Sequence, residues 1–169
     1  MAQLPTFKAY TTTAVAPVAA APTTAAHFAI WNPPLSGKSL YIQTIEGFTL
    51  ASAGAAQIIQ TFAHLSASVT NQRIGSAFTA SGVPFSLGGV VQNSVASVGS
   101  AVTIVNDSVW HACSDSNTMG AGTTTIGSGT YSNVNGIYVV APGMVFSLAV
   151  VCSAAGSATC KLGVTWYEA

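Results

Sequence analysis

"IYVVAPGMVFSLAVVCSAA" fills positions 137–155, and its reading decides the fold. Its 19 residues come close to the ~20 that a transmembrane helix needs. Three features favour strands instead. Pro142 and Gly143 stand together inside the run, where a helix would break. Val, Ile, Phe and Tyr suit a pleated surface better than a helix. No cluster of Lys or Arg flanks either end, as a membrane span would require. The stretch therefore divides into a strand "IYVV", a turn "APG" and a strand "MVFSLAVVC". "SAAGSAT" then turns the chain, and "CKLGVTWYE" (160–168) returns as the last strand. With a period of two, Met144, Phe146, Leu148, Val150 and Cys152 share one face. Cys160, Leu162, Val164 and Trp166 share one face of the expected partner, and Lys161, Thr165 and Tyr167 take the other.

Cys152 and Cys160 are symmetric about Gly156. A hairpin turning there would set them opposite each other, close enough for a disulfide. The other reading is two buried free thiols, as in a chain made in a reducing cytoplasm. Cys113 stands apart, and with no CxxC pair a structural zinc site is not expected.

Upstream the same pattern repeats. "HFAIWN" (27–32), "SLYIQTIEGFTL" (39–50) and "QIIQTFAHL" (57–65) read as strands, separated by "PPLSGK" and "ASAGAA"; the spacing of Ile58, Ile59, Phe62 and Leu65 would also suit a helix, but the β-branched residues and neighbouring strands favour a strand. "AVTIVND" (101–107) and "SVWHAC" (108–113) are the best candidates in the middle of the chain. Residues 114–136 carry loop chemistry, and a loop this long usually serves a contact or a function. Residues 9–26 are rich in Ala, Thr and Pro, and Pro17 and Pro22 interrupt any helix. We expect an extended arm over 1–26 and one domain over 27–169. Short strands divided by Gly, Pro and Ser turns, with no long amphipathic helix, indicate an all-β antiparallel sandwich of jelly-roll type.

Charge narrows the function. Only 5% of residues are charged, where about 25% is usual, and the formal net charge is zero. A solitary soluble protein usually carries net charge to stay apart from its neighbours, so this composition suits a member of an assembly. Lys8, Lys38, Arg73 and Lys161 form no cluster along the chain, which argues against a nucleic-acid partner. "MAQLPTFKAY" lacks the basic and apolar regions of a signal peptide. Neither a membrane partner nor a cofactor is expected.

Catalytic chemistry is thin. "WHACSD" puts His111, Cys113 and Asp115 at alternate positions, so one strand face could present a thiol, a base and a carboxylate, or three metal ligands. Side chains two apart on a strand run parallel and seldom meet as nucleophile and base must. No GxSxG, HExxH or P-loop occurs, and no enzyme is expected. Trp31, Trp110 and Trp166 read as core anchors, with a subunit interface or a glycan-binding groove as the alternative for one of them.

Three stretches carry a resemblance: "FAIWNPPLSGKSLYIQTIE" (28–46), "VVAPGMVFSLAV" (139–150) and "KLGVTWYE" (161–168). Through them the chain resembles the small β-sandwich virion proteins of tailed bacteriophages. Those typically show an apolar strand, an Asn-Pro…Gly-Lys turn and a long strand, with a last strand ending in an aromatic and an acid. The resemblance covers residues 27–50 and 137–169. It implies a non-enzymatic structural role in the virion, after assembly in the host cytoplasm. The first expectation is a capsid decoration or cement protein, often a homotrimer, with the major capsid protein or another virion protein as partner. Tyr10, Val15, Pro17, Val18, Pro22, Trp31 and Tyr131 are the candidate contact residues. A tail or fibre protein touching the host surface is the alternative, and an aromatic and polar groove contributed by residues 114–136 would favour it. A secreted adhesin or carbohydrate-binding module is another, against which the missing signal peptide counts. A jelly-roll protein that builds a small shell itself would be expected to carry a basic arm.

Overall fold

The computed structural model describes residues 4–20, 22–51, 57–66, 85–86, 94–119, 129–153 and 158–169. Every regular element among them is a strand. In chain order these are β1 (Thr6–Tyr10), β2 (Ala25–Trp31), β3 (Leu40–Ala51), β4 (Gln57–Leu65), β5 (Phe85–Ser86) and β6 (Ser97–Thr103). The second half holds β7 (His111–Ala112), β8 (Asn117–Met119), β9 (Gly129–Asn133), β10 (Val139–Val140), β11 (Val145–Cys152) and β12 (Thr159–Glu168). All pairings between them are antiparallel, and they form two sheets. The first runs β10-β3-β12-β1-β5, with β9 also on β3, and the second runs β6-β2-β11-β4-β7, with β8 also on β4.

The alternation read from the sequence is the alternation observed. Phe146, Leu148, Val150 and Cys152 of β11 and Cys160, Leu162, Val164 and Trp166 of β12 all enter one buried cluster. Phe7, Phe28, Ile30, Leu40, Ile42 and Ile45 complete it from the neighbouring strands. Trp166 is the largest fully buried side chain, with its ring 5.9 Å from that of Phe7.

The expected pairing of the last two strands is corrected. β11 and β12 form no hairpin. β11 lies between β2 and β4, whereas β12 lies between β1 and β3 in the other sheet. The two strands belong to opposite sheets, so their apolar faces meet across the core rather than side by side. Each is buried on both faces, as an interior strand should be. Cys152 stands opposite Ile59 and Cys160 opposite Thr49, so the hairpin geometry for a disulfide is absent. Cys113, Cys152 and Cys160 are free thiols.

The middle of the chain differs in detail. β6 begins before "AVTIVND" and stops at Thr103, and "SVWHAC" contributes only His111–Ala112. The stretch 114–136 is not all loop, since β8 and β9 add edge strands, one to each sheet. Residues 120–128 lie outside the described residues. In the opening stretch, "APG" is a turn closed by Met144 N–H donating to Ala141 O at 2.9 Å. No helix among the described residues is long and apolar enough to cross a membrane.

The segment expected as an arm packs on its own chain where it is described. Thr6–Tyr10 is β1, inserted between β12 and β5. Val15 bridges Cys160 in the first sheet, and Val18 bridges Val151 in the second. Residues 15–18 therefore tie the two sheets together. Val15 N–H donates to Cys160 O at 2.8 Å, and Val18 N–H to Val150 O at 3.0 Å.

The three stretches behind the resemblance converge at one end of the sandwich. The fully buried Asn32 donates from Nδ2 to Lys38 O at 2.7 Å and to Val140 O at 2.8 Å. The Asn32 backbone carbonyl accepts from Gly143 N–H at 2.7 Å, inside the Pro-Gly turn. Lys38 Nζ reaches Glu168 Oε2 at 3.3 Å, and Val95 N–H donates to Glu168 Oε1 at 3.0 Å. Ser39 and Ala169 exchange backbone hydrogen bonds at 2.7 and 3.1 Å. A buried carboxylate is tolerable only with such partners. In this chain these residues serve to close the fold.

Candidate interaction surface and groove

The outer face of the first sheet is built in rows across its strands. One row runs Tyr10, Gly163, Glu46, Tyr131 over β1, β12, β3 and β9. Tyr10 lies flat across Gly163, and a Cβ at that position would stand 2.4 Å from two of its ring carbons. The bare glycine lets the Tyr10 hydroxyl cross a whole strand and donate to Glu46 Oε2 at 2.9 Å. Lys8 Nζ donates to the other oxygen, Oε1, at 2.6 Å, and sits 5.0 Å from the centre of the Tyr10 ring. Burial alone would lower the Lys8 ammonium, but Glu46 and Tyr10 outweigh it and hold it above its ordinary value. The ion pair is therefore neutralised within the face.

Aromatic rings frame this row. Tyr10 meets Phe48 edge-on at 6.1 Å, and Tyr41 stacks on Tyr167 at 4.7 Å, directly opposite across β3 and β12. Tyr10, Tyr41, Phe48 and Tyr167 are half-buried, and Tyr131 is 65% exposed. Tyrosine offers a large apolar ring with a polar tip, a combination enriched where protein surfaces meet.

A second feature lies between the sheet edges. An open groove of about 520 Å³ runs between β9 of the first sheet and the segment 112–115, which begins at the end of β7 in the second. Asp115, Ser132 and Asn133 line it with Cys113, Tyr131 and Tyr138. Tyr138 is oriented by His111, whose Nε2 lies 3.1 Å from its hydroxyl and whose ring stacks on it at 5.6 Å.

Of the candidate contact residues, the structure brings Tyr10 and Tyr131 into one row, each flanking Glu46. Val15, Pro17 and Pro22 are buried and Val18 half-buried within the chain itself. Trp31 packs with Trp110 on a smaller cluster of Ala26, Ala29, Val102, Ile104 and Val145, outside the second sheet. The row could have been suspected from Gly163, because a glycine inside a strand often marks close approach by another group.

His111, Cys113 and Asp115 do not assemble as a catalytic or metal site. Burial pushes the Cys113 thiol up to about 12, and its S–H donates to Thr61 O at 3.4 Å. No group of three His, Cys, Asp or Glu that could hold a metal exists among the described residues. No model of a known protein family, no curated protein and no solved structure matches this chain.

Proposed function

We propose that this chain is a non-enzymatic structural protein of a phage virion, of the capsid decoration type, working by contact with copies of itself and with a shell. The observation that carries this reading is the neutral, tyrosine-rich outer face of the first sheet. Its only acidic group among the described residues, Glu46, is paired to Lys8, so a partner covering the face need not desolvate an isolated carboxylate. The low charge of the whole chain supports the same reading. The strand order supports the jelly roll. β1 pairs with β12 and β2 with β11, and β3 and β4 flank the same two late strands. Jelly rolls recur in viral capsid proteins and lectins.

A decoration protein favours the assembled shell by mass action. Light scattering of the purified chain should give a closed oligomer, expected as a homotrimer of three times 17.0 kDa. The same preparation should co-sediment with empty phage shells assembled without it. A monomer at all concentrations that binds no shell would overturn the proposal.

A further inference from the structure

The groove between the sheet edges is the feature expected to favour contact with a host surface, and its chemistry is specific enough to name a ligand class. Among the described residues nothing basic lines it. A phosphate, sulfate or uronate would meet the Asp115 carboxylate with no Lys or Arg to offset it. A metal ion would find one carboxylate where several oxygen or nitrogen ligands are needed. The groove suits a ligand that is neutral and rich in hydroxyls.

The side chains available fit that description. Asp115, Ser132 and Asn133 have no side-chain hydrogen-bond partner among the described residues. Between them they offer a charged acceptor, an amide with both a donor and an acceptor, and a hydroxyl. Tyr138 is held in place by His111 rather than free to turn away. The Tyr131 ring, 65% exposed, stands at the margin, where its face can stack on the C–H side of a pyranose. The volume of about 520 Å³ falls within the roughly 300–1,000 Å³ of small-molecule sites.

We infer that this groove binds a neutral oligosaccharide, with Asp115 and Asn133 accepting and donating to ring hydroxyls and Tyr131 stacking on a sugar face. The inference goes beyond the decoration role; the groove is built within one chain, and its marginal Tyr131 also belongs to the outer-face row. It adds a carbohydrate contact to a structural subunit.

The test is a titration of the isotope-labelled full chain, followed by backbone amide shifts. The probes are maltotetraose, cellotetraose, mannotetraose and a β-1,4-linked N-acetylglucosamine tetramer, with tetragalacturonic acid as the anionic comparison. At least one neutral probe should shift amides within 112–115 and 131–138, and the anionic probe should bind at least tenfold more weakly. Asp115→Asn and Asn133→Ala should each weaken binding about tenfold while the rest of the spectrum is unchanged. Tyr131→Ala should do the same through the lost stacking surface. No response to any neutral probe overturns the inference. So do shifts confined to another region, equal binding of the anionic probe, or full binding by the Asp115 and Asn133 variants.

Discussion

The two sheets present outer faces of opposite character. The second sheet turns out Ala29, His64, Val145 and Ser147, all buried, and Ile104 and Trp110 of the chain that follows β6 pack on that side. Ile104 N–H donates to Thr24 O at 2.8 Å, and Trp110 Nε1–H to Thr23 O at 3.0 Å, which pins that segment down. The Trp110 ring lies 5.2 Å from the ring of His64. The first sheet instead turns out tyrosines and the Lys8–Glu46 pair, and they stay partly exposed. Small aliphatic residues have no polar tip, so their face must be covered by the chain itself. Tyrosines tolerate water on one side and can be covered later by a partner. The difference separates a face mostly finished on folding, with Ile58 of β4 still exposed, from one whose polar-tipped rings stay open to water.

Uncovering the finished face should cost most. Trp110→Ala removes the lid from the smaller apolar cluster and from His64, and should destabilise the chain by about 3 kcal/mol in chemical denaturation. Its oligomeric mass should be unchanged, because the other face is untouched. A changed mass with unaltered stability would mean that Trp110 serves an interface instead.

Gly163→Ala strikes the other face. Its Cβ would force the Tyr10 ring off β12, with loss of the hydrogen bond to Glu46. We expect a loss of about 1–2 kcal/mol, together with a weaker oligomer. Restoring stability by the second substitution Tyr10→Ala, without restoring the oligomer, would show that the ring serves assembly rather than folding.

These two glycine and tryptophan sites also mark how far the sequence could be read. The strand at 39–50 was legible from the alternation of Leu40 and Ile42 with Tyr41 and Gln43, and those at 27–32 and 57–65 from short runs of β-branched and aromatic residues between turn-formers. Inward faces on β11 and β12 were legible from alternation as well. Their neighbours were not, since period two assigns a face and never a pairing partner. β8 and β9 escaped notice because edge strands of Thr, Ser and Asn bury little on either side and carry no apolar alternation. The Ala/Pro/Thr segment reads as extended chain in any setting, so its composition could not say which sheet it would tie down. The groove draws on one stretch of chain, 112–138, close to the 114–136 expected to contribute one; what period two could not show is that its two halves join opposite sheets.

Acid should act on the second sheet by a modest amount. Burial lowers both His27 and His64 below the ordinary value of 6.5. For His64 the Asp107 carboxylate opposes that shift and His111 adds to it. His27 Nδ1 accepts the Val150 N–H at 3.0 Å, a bond that a proton on that nitrogen would abolish. With folded values depressed, the unfolded chain takes up protons first as pH falls. Stability should therefore be level above about pH 7 and decline as pH drops through 6.5 towards the folded values. His27→Gln, which keeps an acceptor near Val150, should reduce the slope of melting temperature against pH in that window. An unchanged slope in both His27→Gln and His64→Gln would assign the acid sensitivity to the carboxylates.

The smallest effect on stability should come from Tyr131→Lys, and it separates the two faces most sharply. Tyr131 is exposed on an edge strand, so its loss should change folding stability by no more than about 0.5 kcal/mol. The new ammonium would stand across from Glu46, beside a carboxylate already paired with Lys8. On a face that meets a copy of itself, it would set an excess positive charge into a nearly neutral contact and weaken association. Light scattering across a dilution series should then show the oligomer dissociating at higher protein concentration than in the parent chain, with an unchanged melting temperature for the dissociated chain. An oligomer indifferent to Tyr131→Lys would move the contact off this row, towards Tyr41 and Tyr167 at the far end of the same sheet.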